Sequence, residues 1–369
     1  RGVMLPPTGK MAPMYRLALE LQQGPLAAAW YYLEGENQAR NDSPGLVNTL
    51  LSEAFANGTL LLADPENSRV AGDLAIHSAW NKFINSARTE LGIRRPLADV
   101  AVVYSPDNQL LEMAPGGFPD MDEQPQVFGA LGWGTALTDA ALPYRMLPDW
   151  KLTDTELKGL RTLVLPHVTA LSEEAGQSIL RWVQAGGQLI VTGPLGTRED
   201  PSGCFLPREK SLGDTLFNLG SDGTDKRVRH LGAGSVTWLT ANLGRDYYLA
   251  SDDRPQRLPE LLNLVGPSEL VAGRLPSRIG LTLWRSEEGR ARFVDLANYN
   301  LDPLTDTLSP IGELSVRVRL PEGWSAATVR ALSPQDQTST EVVCRDGWAR
   351  ITVRDLGHYA CLKLTEVQP

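Results

Sequence analysis

The chain is poor in the residues that would make its chemistry easy to read. Among 369 residues there are three cysteines, Cys204, Cys344 and Cys361, and four histidines, His77, His167, His230 and His358. The cysteines lack metal-ligand spacing, their odd number argues against a disulfide framework, and the histidines are scattered, so neither a metal nor a cofactor is expected. No apolar run approaches the roughly 18 residues needed to span a bilayer, which argues against a membrane protein. Basic charge is also in deficit: the net charge is -9 and the pI about 5.1, which argues against a nucleic-acid or anionic-lipid partner. G-x-G-x-x-G, P-loop and serine-elbow motifs are absent. The start, RGVMLPPTGK, has no apolar signal core and begins with arginine. The expectation is a processed chain or part of a longer one; the compartment stays open, leaning towards the cytoplasm. Sequons at Asn41 and Asn57 are triplets that arise often by chance.

What is present is a hydrophobic content of 42% with 21% charged residues, the usual range of a soluble globular protein, in a length that suggests two or three domains. Residues 1–97 alternate helix and strand. MAPMYRLALELQQG has helical spacing, PLAAAWYYLE reads as a buried strand, and SPGLVNTLLSEAFANG is a helix with Pro44 near its start and Gly58 at its end. TLLLADP is a second strand and VAGDLAIHSAWNKFINSARTELG a long amphipathic helix. This is the grammar of a (β/α)8 barrel, but two strands cannot close one, so the segment reads as the C-terminal part of a barrel.

Residues 98–268 read as a flavodoxin-like, doubly wound α/β domain. ADVAVVYSP and YRMLPD are strands, Thr153 to Glu156 fits a capping box, and TLVLPHV is a strand. Ser172 caps the next helix, whose apolar face is Ala175, Ile179, Trp182 and Val183, and QLIVTGP follows as a strand. GTREDPSGCFLPREKSLGD reads as a surface loop, so Cys204 is not on a nucleophile elbow, and His167 reads as a loop or capping residue. Residues 269–369 read as a small antiparallel β-sandwich. In ELSVRVRLPEGW, Leu314, Val316, Val318 and Leu320 share one face, and Arg317 and Arg319 the other.

The order of these modules, with the phrases ADVAVVYSP, YRMLPDWKLTDTELKGLRTLVLPHVTALSEE, WVQAGGQLIVTGPLGTRED, FVDLANYN, VRVRLPEGW and DLGHYACLKL, resembles the C-terminal half of family 42 glycoside hydrolases, the β-galactosidase type. The resemblance implies a glutamine-amidotransferase-like trimerisation domain in the middle, a homotrimer, a carbohydrate substrate, and a retaining mechanism with a glutamate nucleophile at the end of the seventh barrel strand. It also implies additional polypeptide that completes the barrel and carries the acid/base glutamate.

In WYYLEGENQ that position falls on Glu34 first and Glu36 second. Both share a face by strand alternation, their Cα atoms roughly 6.6 Å apart. A retaining pair sits about 5–5.5 Å apart across the sugar, so these two cannot form it together. One serves as nucleophile while the other binds a hydroxyl, or both belong to a solvated strand end. Trp30 is a sugar platform or a core residue, and Asn37, Arg40 and Asp64 sit at strand ends where substrate contacts fall. The other reading of the whole chain is a non-catalytic assembly or carbohydrate-binding protein on the same scaffold.

Overall fold

The computed structural model describes residues 11–22, 27–30, 44–62, 71–113, 124–220, 224–250, 253–273, 275–302, 304–335 and 338–367. The chain is mixed α/β with several sheets and falls into two compact units. One holds Arg1–Leu97, Thr138–Pro143 and Ser268–Pro369; the other holds Ala98–Leu137 and Tyr144–Pro267.

The first unit begins with α1 (Ala12–Leu21), β1 (Ala27–Trp30), α2 (Pro44–Ala56), β2 (Thr59–Leu62), α3 (Ala71–Leu91) and β3 (Arg94–Pro96). β1 and β2 run parallel, Ala27 opposite Thr59 and Trp30 opposite Leu62. The α1 N-terminus is held by Glu53 of α2, whose carboxylate accepts from the Met11 and Ala12 amides at 2.9 Å. Glu53 is fully buried, and the positive end of the helix favours its charge.

The second unit contains β4 (Val100–Tyr104), α4 (Pro106–Glu112), α5 (Pro125–Asp139), β5 (Tyr144–Pro148), α6 (Asp154–Leu157), β6 (Thr162–Pro166) and α7 (Glu173–Gln184). It continues with β7 (Gln188–Thr192), α8 (Leu212–Phe217), β8 (Lys226–Leu231), β9 (Gly234–Leu239), α9 (Leu243–Leu249) and α10 (Arg254–Val265). The strand order is β5-β4-β6-β7-β9-β8, parallel except for β8, which runs antiparallel to β9. β4 and β6 are buried along their whole length, as parallel strands covered on both faces must be. Two caps legible in the sequence are made: Thr153 accepts from the Glu156 amide and Ser172 from the Ala175 amide. α7 turns Ala175, Ile179 and Val183 into the core. The stretch read as one long surface loop ends earlier than expected, because Ser211 caps α8.

The first unit resumes with β10 (Val271–Ala272), β11 (Ile279–Ser286), β12 (Ala291–Asn298), β13 (Leu301–Asp302), β14 (Thr307–Leu308), β15 (Ile311–Arg319), β16 (Ala327–Leu332), β17 (Ser339–Arg345), β18 (Trp348–Leu356) and β19 (Tyr359–Glu366). Two sheets, β10-β15-β18-β17 and β16-β19-β12-β11-β3, share one apolar core that includes Leu281, Leu296, Val316, Ile351 and Leu362. A second core joins α2 and α3 to the other side of the five-stranded sheet. There Phe55, Trp80, Phe83 and Tyr359 meet with ring centroids 5.4–6.0 Å apart. The composition change at IRRPLADV, which marks a boundary in the sequence, includes a strand: β3 pairs antiparallel with β11.

Candidate functional site

β1 and β2 run parallel and in register, Trp30 opposite Leu62, towards the C-terminal edge of the pair. In parallel β/α folds that edge is where sites are built. The residues expected to follow it, Glu34, Glu36, Asn37, Arg40 and Asp64, lie outside the described residues, as does the Trp30 side chain. What fixes the two strands is described. Arg16 of α1 donates from Nε to Asn57 Oδ1 at 2.7 Å, and from Nη2 to the Leu281 carbonyl and Thr282 Oγ1 of β11. One guanidinium therefore ties the helix before β1 to the turn before β2. Asn57 is 1% exposed and engaged in this contact, so its sequon is internal.

Beneath β3 lies a buried ion pair. Arg94 Nη1 donates to both Asp295 oxygens, at 3.1 and 2.9 Å, and the guanidinium lies over the Phe55, Trp284 and Phe293 rings. Burial opposes the Arg94 charge, and Asp295 more than offsets it, so the guanidinium is held protonated. Both side chains are closed to solvent, which makes this a packing device. His358, also in this unit, meets Thr49 Oγ1 at 3.0 Å, and burial lowers its pKa to about 4.

In the second unit the chain crosses to opposite sides of β4, with β5 on one side and β6 on the other. That switch point leaves a crevice beyond the strand ends, the usual binding place in an open α/β sheet. It holds a cleft of about 230 Å³ lined by Asp107, Asp149, Trp150, Ala170, Leu171, Ser172, Ala175, Asp200 and Pro201. Its floor is a polar clamp. Ser105 caps α4 and donates to the Asp149 carboxylate, while Asn108 Nδ2 donates to Ser105 Oγ at 2.6 Å. Asn108 Oδ1 accepts from the Thr169 and Ala170 amides, fixing the loop after β6. Burial pushes Asp149 up to about 6, against the Ser105 hydrogen bond and with help from Asp107. Asp107 is raised by burial and by Asp200. The arrangement can hold a proton near pH 6.

No nucleophile–base pair faces this cleft among the described residues. Cys204 is exposed in a loop, Cys344 is half-buried in β17 and Cys361 is buried in β19. His167 closes β6 with φ 54, and burial lowers its pKa. No group of His, Cys, Asp and Glu able to hold a metal ion occurs among the described residues, and no helix among them is long and apolar enough to cross a membrane. Sequence reasoning passed over Asp107, Asp149 and Asp200. The available signal was an aspartate within three residues of the ends of the apolar strands VAVVY and YRMLP.

No protein-family model matches the chain, and no curated protein does. Solved structures do. A β-galactosidase from Bacillus circulans sp. alkalophilus matches 98% of this chain and 59% of its own, with a TM-score of 0.61 and 13% identity. A GH42 β-galactosidase from G. stearothermophilus matches 98% of this chain and 57% of its own, with a TM-score of 0.58 and 14% identity. Alpha-L-fucosidase isoenzyme 2 from Paenibacillus thiaminolyticus matches 93% of this chain and 60% of its own, with a TM-score of 0.58 and 17% identity. At such identities the likeness is one of fold, and the family 42 resemblance read from the sequence is present in it. The chain spans between 57% and 60% of the length of these three structures.

Proposed function

We propose that this chain is part of a family 42-like retaining glycoside hydrolase. In this reading residues 1–97 are the last strands and helices of a (β/α)8 barrel. Residues 98–268 are a flavodoxin-like, glutamine-amidotransferase-like domain, and residues 269–369 a β-sandwich. The observation that carries the reading is the parallel, in-register β1–β2 pair joined through α2, upstream of Glu34 and Asp64 in the sequence, in a chain that spans little more than half of its structural relatives.

Glu34 attacks the anomeric carbon while an acid glutamate, supplied by additional polypeptide that completes the barrel, protonates the departing glycosidic oxygen. Water then cleaves the glycosyl ester, and the second carboxyl takes the water's proton. Glu36 binds a substrate hydroxyl, and Trp30, Asn37, Arg40 and Asp64 line the sugar. The α/β domain makes a trimer contact. Sedimentation of the purified protein tests the assembly: a monomer at every concentration counts against it.

The test of function is covalent trapping. A 2-deoxy-2-fluoroglycosyl fluoride slows hydrolysis of the ester, so digestion of the treated protein should yield the peptide around Glu34 heavier by one fluorosugar. Glu34→Gln should lose both label and turnover, because an amide cannot form the ester. A label on another glutamate, or full activity in that variant, removes Glu34. The second reading, a non-catalytic assembly or carbohydrate-binding protein, draws on the absence of a nucleophile–base pair facing the α/β-domain cleft among the described residues. It stands if no label forms on any glutamate of the protein with its barrel complete.

A further inference from the structure

The outer face of the sheet β10-β15-β18-β17 treats its two ends differently. At one end, Arg354 of β18 is neutralised by Glu313 of β15 and Glu341 of β17, at 3.1 and 2.9 Å. At the other end, the register sets Arg319 opposite Trp348 and Trp348 opposite Arg345, then Arg317 opposite Arg350 and Arg350 opposite Val343. Among the described residues, Arg317, Arg319 and Arg350 have no carboxylate partner. Arg345 meets only its neighbour Asp346, at 3.3 Å and almost fully exposed, a contact worth little. Four guanidiniums therefore gather on one rigid face of a chain whose net charge is -9.

Like charges directly opposite on paired strands oppose folding. Arg317 and Arg350 accept that cost with no acidic neighbour to offset it. The Trp348 indole organises the cluster, with Arg317 and Arg319 carbons 5.3 and 5.4 Å from its ring centroid. Guanidiniums gathered about an aromatic ring still offer N–H donors to oxyanions, in the fork geometry that suits sulfate and carboxylate. Asp346 and Gly347, at φ 53 and 75, make the tight turn that sets Arg345 and Trp348 opposite each other. Beside Arg350, Val343 is 66% exposed, so the face is apolar as well as cationic.

We propose that this face binds an anionic polysaccharide, with sulfate or carboxylate groups on the guanidiniums and sugar C–H faces against Val343 and the indole edge. The choice of a glycan among polyanions rests on the glycoside hydrolase reading; the anion binding does not. Duplex nucleic acid is the other polyanion such a face would attract, and the test below separates it from the glycan.

Affinity electrophoresis with dextran sulfate, polygalacturonate, unmodified dextran and duplex DNA tests this, followed by titrations at low and physiological salt. The protein should be retarded by one or both anionic polysaccharides and not by dextran, and the polymer that retards it identifies the anion. The double variant Arg317→Ser/Arg350→Thr should bind about tenfold more weakly, with the salt slope lower by about one per arginine lost. Its thermal midpoint should equal or exceed the parent's, because a like-charged pair is gone. Arg317→Lys/Arg350→Lys should retain most of the binding. Unchanged affinity in the Ser/Thr variant, equal retardation by dextran, or tighter binding to DNA overturns the proposal. So does self-association without polymer binding that the Ser/Thr variant abolishes, which would make a second copy the occupant. Fluorosugar labelling of the protein with its barrel complete reports separately: polymer binding with no labelled glutamate removes the hydrolase reading and leaves the anion site.

Discussion

At the scale of single residues, Asp149 shows how burial makes a pH-dependent group in an otherwise ordinary sheet. Its folded pKa of about 6 lies above the usual carboxylate value near 4. Between about pH 4 and 6 the folded chain therefore binds more protons than the unfolded one. Asp149 contributes its stability below that window and loses it as the pH rises through about 6. Asp149→Asn cannot ionise, so its thermal midpoint relative to the native protein should climb between pH 4 and pH 7. Midpoints measured across that range decide it; a constant difference would mean that Asp149 titrates alike in the folded and unfolded chain. The site was not legible because the Ser105–Asp149 and Asn108–Ala170 contacts cross 44 and 62 positions, and only the finished sheet brings them together. The caps at Thr153 and Ser172 were legible, because each spans three positions. Glu34 and Glu36 stand where the sequence put them, as candidates at a strand end.

At the scale of elements, strands and helices with a strong period were readable: β4, β6, β7 and α7 lie within the segments the pattern marked, and β15 takes in the alternating run from Leu314 to Arg319. α5 was not read, because PQVFGALGWGTALTD is apolar nearly all round and carries three residues with little helical preference. Packing explains Gly132. A Cβ on Gly132 would overlap the Gly244 carbonyl, and one on Gly244 would meet the Gly129 carbonyl and the Trp133 ring. α5 and α9 therefore touch backbone to backbone, and the helix gives up propensity for that approach. Gly132→Ala, although it favours the isolated helix, should destabilise the protein by about 1–3 kcal/mol or more, because backbone on both sides must move. Urea unfolding reads it as a lower midpoint at constant slope. An unchanged midpoint would mean that α9 can shift freely.

At the scale of the whole molecule, the sequence suggested three modules, whereas the structure gathers residues before 98 with those after 267. The reason is the aromatic core: α2 and α3 bury Phe55, Trp80 and Phe83 against Trp284, Phe293 and Tyr359 of the five-stranded sheet. These two helices therefore have an apolar partner that owes nothing to further barrel strands. β1 and β2 do not share that security. Among the described residues they pair only with each other, and a two-stranded pair without further strands is marginal in water. If additional polypeptide completes the barrel, the two sets of amides should separate when the chain is studied alone. Hydrogen exchange should be slow through Leu50–Ala56 of α2 and Trp80–Leu91 of α3, which open only with the core, and fast in β1 and β2, whose opening costs little. Fast exchange in all four elements would mean that the aromatic core is not the anchor. Equally slow exchange in β1 and β2 would mean that this chain supports both strands unaided, and the requirement for completing polypeptide would fall.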